Sequence, residues 1–294
     1  MTSVFERLGD VPLIDGASLI ERYDHFLLDA FGVLLCAGGA IEGAAAFLAE
    51  LERRGKPYLI VTNDSSRLPV SCVKHYAAKG LHIPEGLILT SGQLIEGYFR
   101  AHSLHNASPR CVVMGPEDSK VFVRASGGQV ISADERGTLD VLLIGDDEGY
   151  PLLETLDAVV SMVFRTMDAG RTPHLVLPNP DVIYPKGEGR YGVTAGGIAL
   201  IVEGALEARL GERAPRFVRL GKPFTPLFDA AFLRWGESAR NTAVMIGDQL
   251  QTDILGANRA GIDSVIVGSG LTPWDEATPT RGVRPTFRCE ALGR

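Results

Sequence analysis

Short apolar runs that end on a polar or glycine residue, each followed by a longer amphipathic stretch, recur along this chain and restrict its fold more than any other feature. HFLLDAFG (25–32) leads into AIEGAAAFLAELERRG (40–55) and then into PYLIVTND (57–64). Apolar runs without polar alternation are those of strands covered on both faces, and the helical-period segments between them are crossovers. The pattern is therefore βαβ. It continues through LPVSCVKHYAAKG (68–80), LILTS (87–91) and QLIEGYFRAH (93–102), so the fold class is α/β with a parallel sheet and covering helices.

A second group begins near Cys111 with CVVMG (111–115), DVLLIGDD (140–147), LLETLDAVVSMVFRTMDAG (152–170) and HLVLPNPD (174–181). After the helix-like TAGGIALIVEGALEARLG (194–211) the chain gives FVRLGKP (217–223), PLFDAAFLRWG (226–236), AVMIGD (243–248), DILGANRAG (253–261) and SVIVG (264–268). We read 95–215 as an α/β insertion between two halves, 1–94 and 216–294, of one core. A chain of 294 residues has room for both.

Lys and Arg total 29 against 36 Asp and Glu, net −7, with no basic stripe to track phosphates, so nucleic acid is not an expected partner. No segment approaches the apolar length of a membrane span, and MTSVFERLGD carries charge where a secretory signal needs an apolar run. Cys36, Cys72, Cys111 and Cys289 lie far apart without a CxxC pair, which fits a reducing cytoplasm rather than a disulfide framework or zinc site. The expected location is cytoplasmic, and the sequence is compatible with a homo-oligomer.

In a parallel sheet, functional groups gather beyond the carboxyl ends of the strands. Asp29 closes LLD, Thr62 closes LIVT, Lys222 follows FVRLG, and Asp248 closes VMIG with Asp253 five residues on. Each has a plain alternative, because Asp or Thr after a strand also serves as N-cap or turn former. Together, carboxylates, a hydroxyl and a lysine make a hard-cation site beside an anion site. That set suits phosphoryl transfer, with a carboxylate as nucleophile and cationic and hydroxyl donors for the transferring oxygens. Gly32 permits the tight turn after Asp29.

The ordered set DAFGV, LIVTN, GKP and GDQLQTD resembles the four motifs of the haloacid dehalogenase superfamily. TNDSSR, LTSG and LPNPD in and beside the insertion resemble the NagD-like phosphatase branch, whose α/β cap domain is inserted there. The resemblance implies a Rossmann-like core with an inserted α/β cap and a Mg²⁺-dependent phosphatase acting on a small organic phosphate: a sugar phosphate, nucleotide or aryl phosphate. It assigns Asp29 as the nucleophile that forms an aspartyl phosphate. Asp29, the Phe31 backbone carbonyl and Asp248 are the implied metal ligands, and Asp253 orients the metal's water shell. Thr62 and Lys222 hold the phosphoryl group, Asn63 assists, and Asn179 and Asp181 face the substrate, although Asn-Pro-Asp is equally a turn former.

One position departs from the superfamily's phosphatases. They carry DxD, whose second Asp protonates the leaving group and activates water; here that residue is Phe31, which can do neither. Glu42, Asp64 and Asp146 are conceivable substitutes. An aromatic residue at this place also resembles the metal-independent dehalogenases, the main alternative, although Asp248 and Asp253 would then be an acidic pair with nothing to neutralise. A catalytically weak phosphate-binding protein is a further alternative. GEGRYG (187–192) matches the dinucleotide pattern G-x-G-x-x-G but is read as a cap loop.

Overall fold

The computed structural model describes residues 6–133, 136–187, 189–270 and 275–293. The first five residues, within the MTSVFERLGD stretch, and Glu188 of GEGRYG lie outside the described residues. The chain divides into two compact units, 1–62 with 69–89 and 222–294, and 63–68 with 90–221.

In the first unit, helix α1 (Gly16–Arg22) precedes β1 (His25–Leu28), a small hairpin of β2 (Leu35–Cys36) and β3 (Gly39–Ala40), helix α2 (Ala44–Arg53), β4 (Tyr58–Thr62), helix α3 (Pro69–Ala78) and β5 (Ile88–Thr90). In the second unit come α4 (Leu94–Ala101), β6 (Arg110–Met114), α5 (Glu117–Ala125), β7 (Gln129–Ile131), β8 (Val141–Ile144), α6 (Leu152–Asp168) and β9 (His174–Leu177). It ends with the hairpin β10 (Ile183–Gly187) and β11 (Arg190–Val193), helix α7 (Ala195–Leu210) and β12 (Val218–Arg219). The chain then completes the first unit with α8 (Pro226–Trp235), β13 (Ala243–Gly247), α9 (Leu255–Ala260), β14 (Asp263–Val267) and β15 (Phe287–Cys289).

The larger sheet has the order β15-β14-β13-β1-β4-β5, and β1 pairs in parallel with both β4 and β13. From β1 the chain winds outward to β4 on one side and later to β13, β14 and β15 on the other. The strand order therefore reverses beside β1, where crossovers diverge and leave a crevice at the carboxyl edge. Phe26, Leu28, Ile60, Val244, Ile246, Val265 and Val267 pack with α1, α2 and α3 through Leu19, Phe47, Leu51 and Tyr76. The intervening residues Leu27, Leu59, Met245 and Ile266 are buried too, which explains why these strands read as unbroken apolar runs.

The second unit carries a five-stranded sheet, order β12-β9-β8-β6-β7, whose Val112, Met114, Leu142, Ile144, Leu175 and Leu177 pack on α6 and α7. Segment 63–68 joins this unit because Ser65 Oγ donates to the Gly145 carbonyl (2.6 Å), Ser119 Oγ donates to the Ser65 carbonyl (2.8 Å) and the Leu68 amide donates to Asp118 (2.9 Å). The sequence places this segment with the core, since side-chain bonds to residues tens of positions away leave no periodic trace. GEGRYG spans the turn of the β10–β11 hairpin, with Pro185 paired opposite Tyr191. No described helix is long and apolar enough to cross a membrane.

Candidate active site

Four of the expected residues meet in the first unit at the carboxyl edge of its sheet. β1 runs through the core and delivers Asp29 at its end, where the Asp29 amide still donates to the Ile246 carbonyl of β13 (2.9 Å). One strand over, β13 ends at Gly247 and delivers Asp248. The following turn, Leu250–Ile254, is wound as a π-helix and brings Asp253 back beneath the strand end. There Asp253 Oδ2 accepts from the Asp248 amide (3.1 Å) and the Gln249 amide (3.0 Å), fixing the turn that presents Asp248.

Lys222 ties these elements together. Its Nζ donates to Asp29 Oδ1 at 2.6 Å and to the Val61 carbonyl of β4 at 3.0 Å, and it pairs with Asp253 Oδ1 at 2.7 Å. Asp29, Lys222, Asp248 and Asp253 are all buried, as is Thr62 at the end of β4. Burial pushes the Asp29 carboxyl above the usual carboxylate range, against the pull of Lys222. Burial also disfavours the Lys222 charge, but Asp253 and Asp29 outweigh it and hold the ammonium protonated.

Asp29, Asp248 and Asp253 each offer a carboxylate oxygen, and these atoms lie within 4.8 Å of one another. Three buried carboxylates around one ammonium leave an excess of negative charge that low-dielectric surroundings penalise. An all-oxygen donor set with that excess fits a hard divalent cation. The surroundings are shaped to the Asp248 carboxylate: a Cβ added at Gly32 would lie 2.4 Å from its Oδ2, and one at Gly270 would lie 2.1 Å from the same atom. Neither glycine contact has a sequence signal, because each links loops far apart in the chain.

Phe31 is 38% exposed. Its ring centroid lies 6.0 Å from that of His75 on α3, and Lys79 Nζ sits 5.7 Å from the ring, so the side chain packs towards the end of α3. Of the conceivable acid substitutes, Glu42 is exposed. Asp64 is engaged by the Ser66 amide and hydroxyl (each 2.8 Å) and by Arg67 (2.9 Å). Asp146 Oδ1 accepts from the Asp147 amide (2.9 Å), and burial, with Asp147 adding to it, pushes its carboxyl up to about 7.

Asn63, Asn179 and Asp181 come together in the second unit. Asn63 Nδ2 donates to Asp181 Oδ1 (2.9 Å), and Asn179 Oδ1 accepts from the Asp181 amide (3.0 Å), the bond of an Asx turn. The Asn179 side chain thus does the turn chemistry that its motif allows. Ser91 Oγ donates to the Asn63 carbonyl (2.7 Å) and anchors that residue.

Residues 26–129 match the family described as haloacid dehalogenase-like hydrolase, and residues 219–293 match a second, HAD-hydrolase-like family. The chain is 24% identical to an acid sugar phosphatase of Staphylococcus haemolyticus over 93% of this chain and 95% of the relative. It is also 24% identical to the ribonucleotide monophosphatase NagD of Escherichia coli, over 86% of this chain and 90% of the relative. The crystal structure of a "possible sugar phosphatase, HAD superfamily" from Cytophaga hutchinsonii superposes with a TM-score of 0.83 at 28% identity, covering 97% of this chain and 99% of that one. With the motif residues gathered at the strand ends and both halves of the core matched, the chain belongs to the haloacid dehalogenase-like hydrolases, in their NagD-like phosphatase branch.

Proposed function

We propose that this protein is a cytoplasmic, Mg²⁺-dependent phosphatase that hydrolyses a small phosphorylated metabolite, of the sugar phosphate, nucleotide or aryl phosphate class, through an aspartyl phosphate on Asp29. The observation that carries this reading is the Lys222 ammonium bridging Asp29 and Asp253 beside Asp248. The four cysteines are free, as a reducing cytoplasm allows.

Asp29, Asp248 and the Phe31 carbonyl would hold the cation, with Asp253 steadying its water shell; when bound, the cation neutralises phosphate charge and lets an anionic substrate approach a carboxylate. An Asp29 carboxylate oxygen attacks phosphorus, the bond to the leaving oxygen breaks, and the leaving group departs with the electron pair. Lys222 and Thr62 donate to the phosphoryl oxygens during the transfer, with Asn63 assisting. Water then attacks the phosphorus of the acyl phosphate, the Asp29–phosphoryl bond breaks, and inorganic phosphate leaves with the carboxylate regenerated. Asn179 and Asp181 belong to the substrate-facing cap in this reading.

Phe31 has no proton to give in the first step and cannot take one in the second. Leaving groups stable as anions therefore suit this site best. The metal-independent dehalogenase reading leaves the buried Asp248 and Asp253 carboxylates unused, and the named phosphatase relatives support the phosphate reading over it.

The test is a screen of sugar phosphates, nucleoside monophosphates, aryl phosphates and 2-haloacids, each with Mg²⁺ and with EDTA. Phosphate release that requires the metal is the expected result. Halide release in EDTA would overturn the assignment. Beryllium fluoride binding without turnover on any phosphate would identify a phosphate-binding protein instead.

A further inference from the structure

The loop after β14 reaches across to the loop after β1. Ser269 Oγ donates to the Gly32 carbonyl at 2.6 Å, joining residues 237 positions apart. Gly32 has φ +89° and its amide donates to the Leu35 carbonyl (2.8 Å), so the residue that follows Phe31 is held at both its amide and its carbonyl. Asp248 lies against both loops: a Cβ at Gly270 would come within 2.1 Å of its Oδ2 and 2.2 Å of its Cβ, and a Cβ at Gly32 within 2.4 Å of its Oδ2. The carboxylate therefore occupies a slot whose walls are two glycine Cα atoms, and the Ser269 hydroxyl bonds one wall-bearing loop to the other.

From this arrangement we infer that Ser269 and Gly270 are positioning residues for cation binding: one hydroxyl fixes at once the loop that presents the Phe31 carbonyl and the slot that orients Asp248. The inference rests on the reading of Asp29, the Phe31 carbonyl and Asp248 as cation ligands. Loss of the hydroxyl frees the two loops to separate, and Asp248 then loses the confinement that selects one side-chain orientation. A methyl at Gly270 acts oppositely, meeting the Asp248 Oδ2, Cβ and Cγ at 2.1–2.4 Å and pushing the carboxylate out of its slot.

Titrating the metal-free protein with Mn²⁺, followed by electron paramagnetic resonance and then by Mg²⁺ competition, tests this without reference to turnover. Wild type binds, Ser269→Ala binds about tenfold more weakly, and Ser269→Thr, which keeps the hydroxyl, recovers most of the affinity. Gly270→Ala loses more than Ser269→Ala; should it fail to fold, the Ser269 pair carries the test alone. Melting in EDTA separates positioning from plain stabilisation, since a purely structural serine lowers the metal-free melting temperature and leaves the Mn²⁺ affinity alone. Ser269→Ala affinity within about twofold of wild type overturns the inference. A wild type that binds no Mn²⁺ overturns the cation-ligand reading itself.

Discussion

The Lys222 ammonium meets the Asp29 carboxylate at 2.6 Å across 193 residues of sequence, and its second carboxylate, Asp253, lies 2.7 Å away. Lys222 is thus the main group that opposes the burial which raises the Asp29 carboxyl, with the Ala30 amide adding a smaller pull in the same direction. In the proposed reaction it has two tasks, keeping the nucleophile ionised and donating to the phosphoryl oxygens.

Lys222→Ala should therefore lower kcat by roughly 10² or more, about 3 kcal/mol of transition-state stabilisation. It should also move the acid limb of the pH–rate profile upward, because without the ammonium Asp29 stays protonated to higher pH and activity returns only as it ionises. Asp29→Asn should abolish phosphoenzyme formation at every pH. A Lys222→Ala profile with the wild-type acid limb would show that another group sets the ionisation of Asp29.

Cation removal should be visible in stability as well as rate. A divalent ion that binds only the folded chain stabilises it by about 2.7 kcal/mol at a hundred times its Kd, so EDTA should lower Tm and abolish turnover. Asp248→Asn removes a ligand charge and should weaken Mg²⁺ on the order of 10²-fold, while relieving repulsion within the carboxylate cluster in the metal-free state. The two proteins should then reverse rank, the variant melting higher in EDTA and lower in saturating Mg²⁺. Differential scanning fluorimetry across an Mg²⁺ series measures this, and parallel curves would contradict the ligand role of Asp248.

Phe31 should impose a steep dependence of rate on leaving-group pKa, with aryl and acyl phosphates far ahead of alkyl phosphates. Hydrolysis of the aspartyl phosphate should be slow too, so a burst of released leaving group is expected. Phe31→Asp keeps the backbone carbonyl and adds a proton donor, and should raise alkyl phosphate turnover by roughly 10² with a smaller gain on aryl substrates. A leaving-group series on both proteins measures this; a flat wild-type dependence would mean that another residue already supplies the proton.

Asp146 should make stability fall as pH rises through the weakly acidic range. Its carboxyl is pushed up to about 7 in the folded chain, mainly by burial, while an unfolded Asp titrates near 4. Between those values the folded state holds a proton that the unfolded state releases, so the contribution is full below the lower value and lost by the upper one. Allowing for partial exposure, on the order of 2 kcal/mol should be recovered at pH 8 in Asp146→Asn, with a flatter pH dependence. Urea midpoints from pH 4 to pH 8 for both proteins would show it, and parallel profiles would place the low-proton cost elsewhere.

The fold class and the strand-end positions of the candidate site residues were legible in the sequence because both depend on local chemistry. Strands buried on two faces must be apolar throughout, and groups that work at a sheet's carboxyl edge must sit where an apolar run stops, so Asp29, Thr62 and Asp248 announce themselves by position. The short β7 and β15, the β2–β3 hairpin and α5 were not legible, since a few residues of mixed polarity carry too little periodicity to be separated from loop. Segment 63–68 reads from the sequence as part of the core for a different reason, its membership of the second unit being fixed by hydrogen bonds from Ser65 and Leu68 to residues distant in the chain. Sequence order alone likewise gives Lys222 and Asp253 as strand-end residues but cannot say that one ammonium contacts Asp29, Asp253 and the Val61 carbonyl together. The glycine slot around Asp248 and the Ser269 bond that closes it are wholly tertiary: a glycine's importance there lies in which atom comes near its missing Cβ, and only the folded chain decides that.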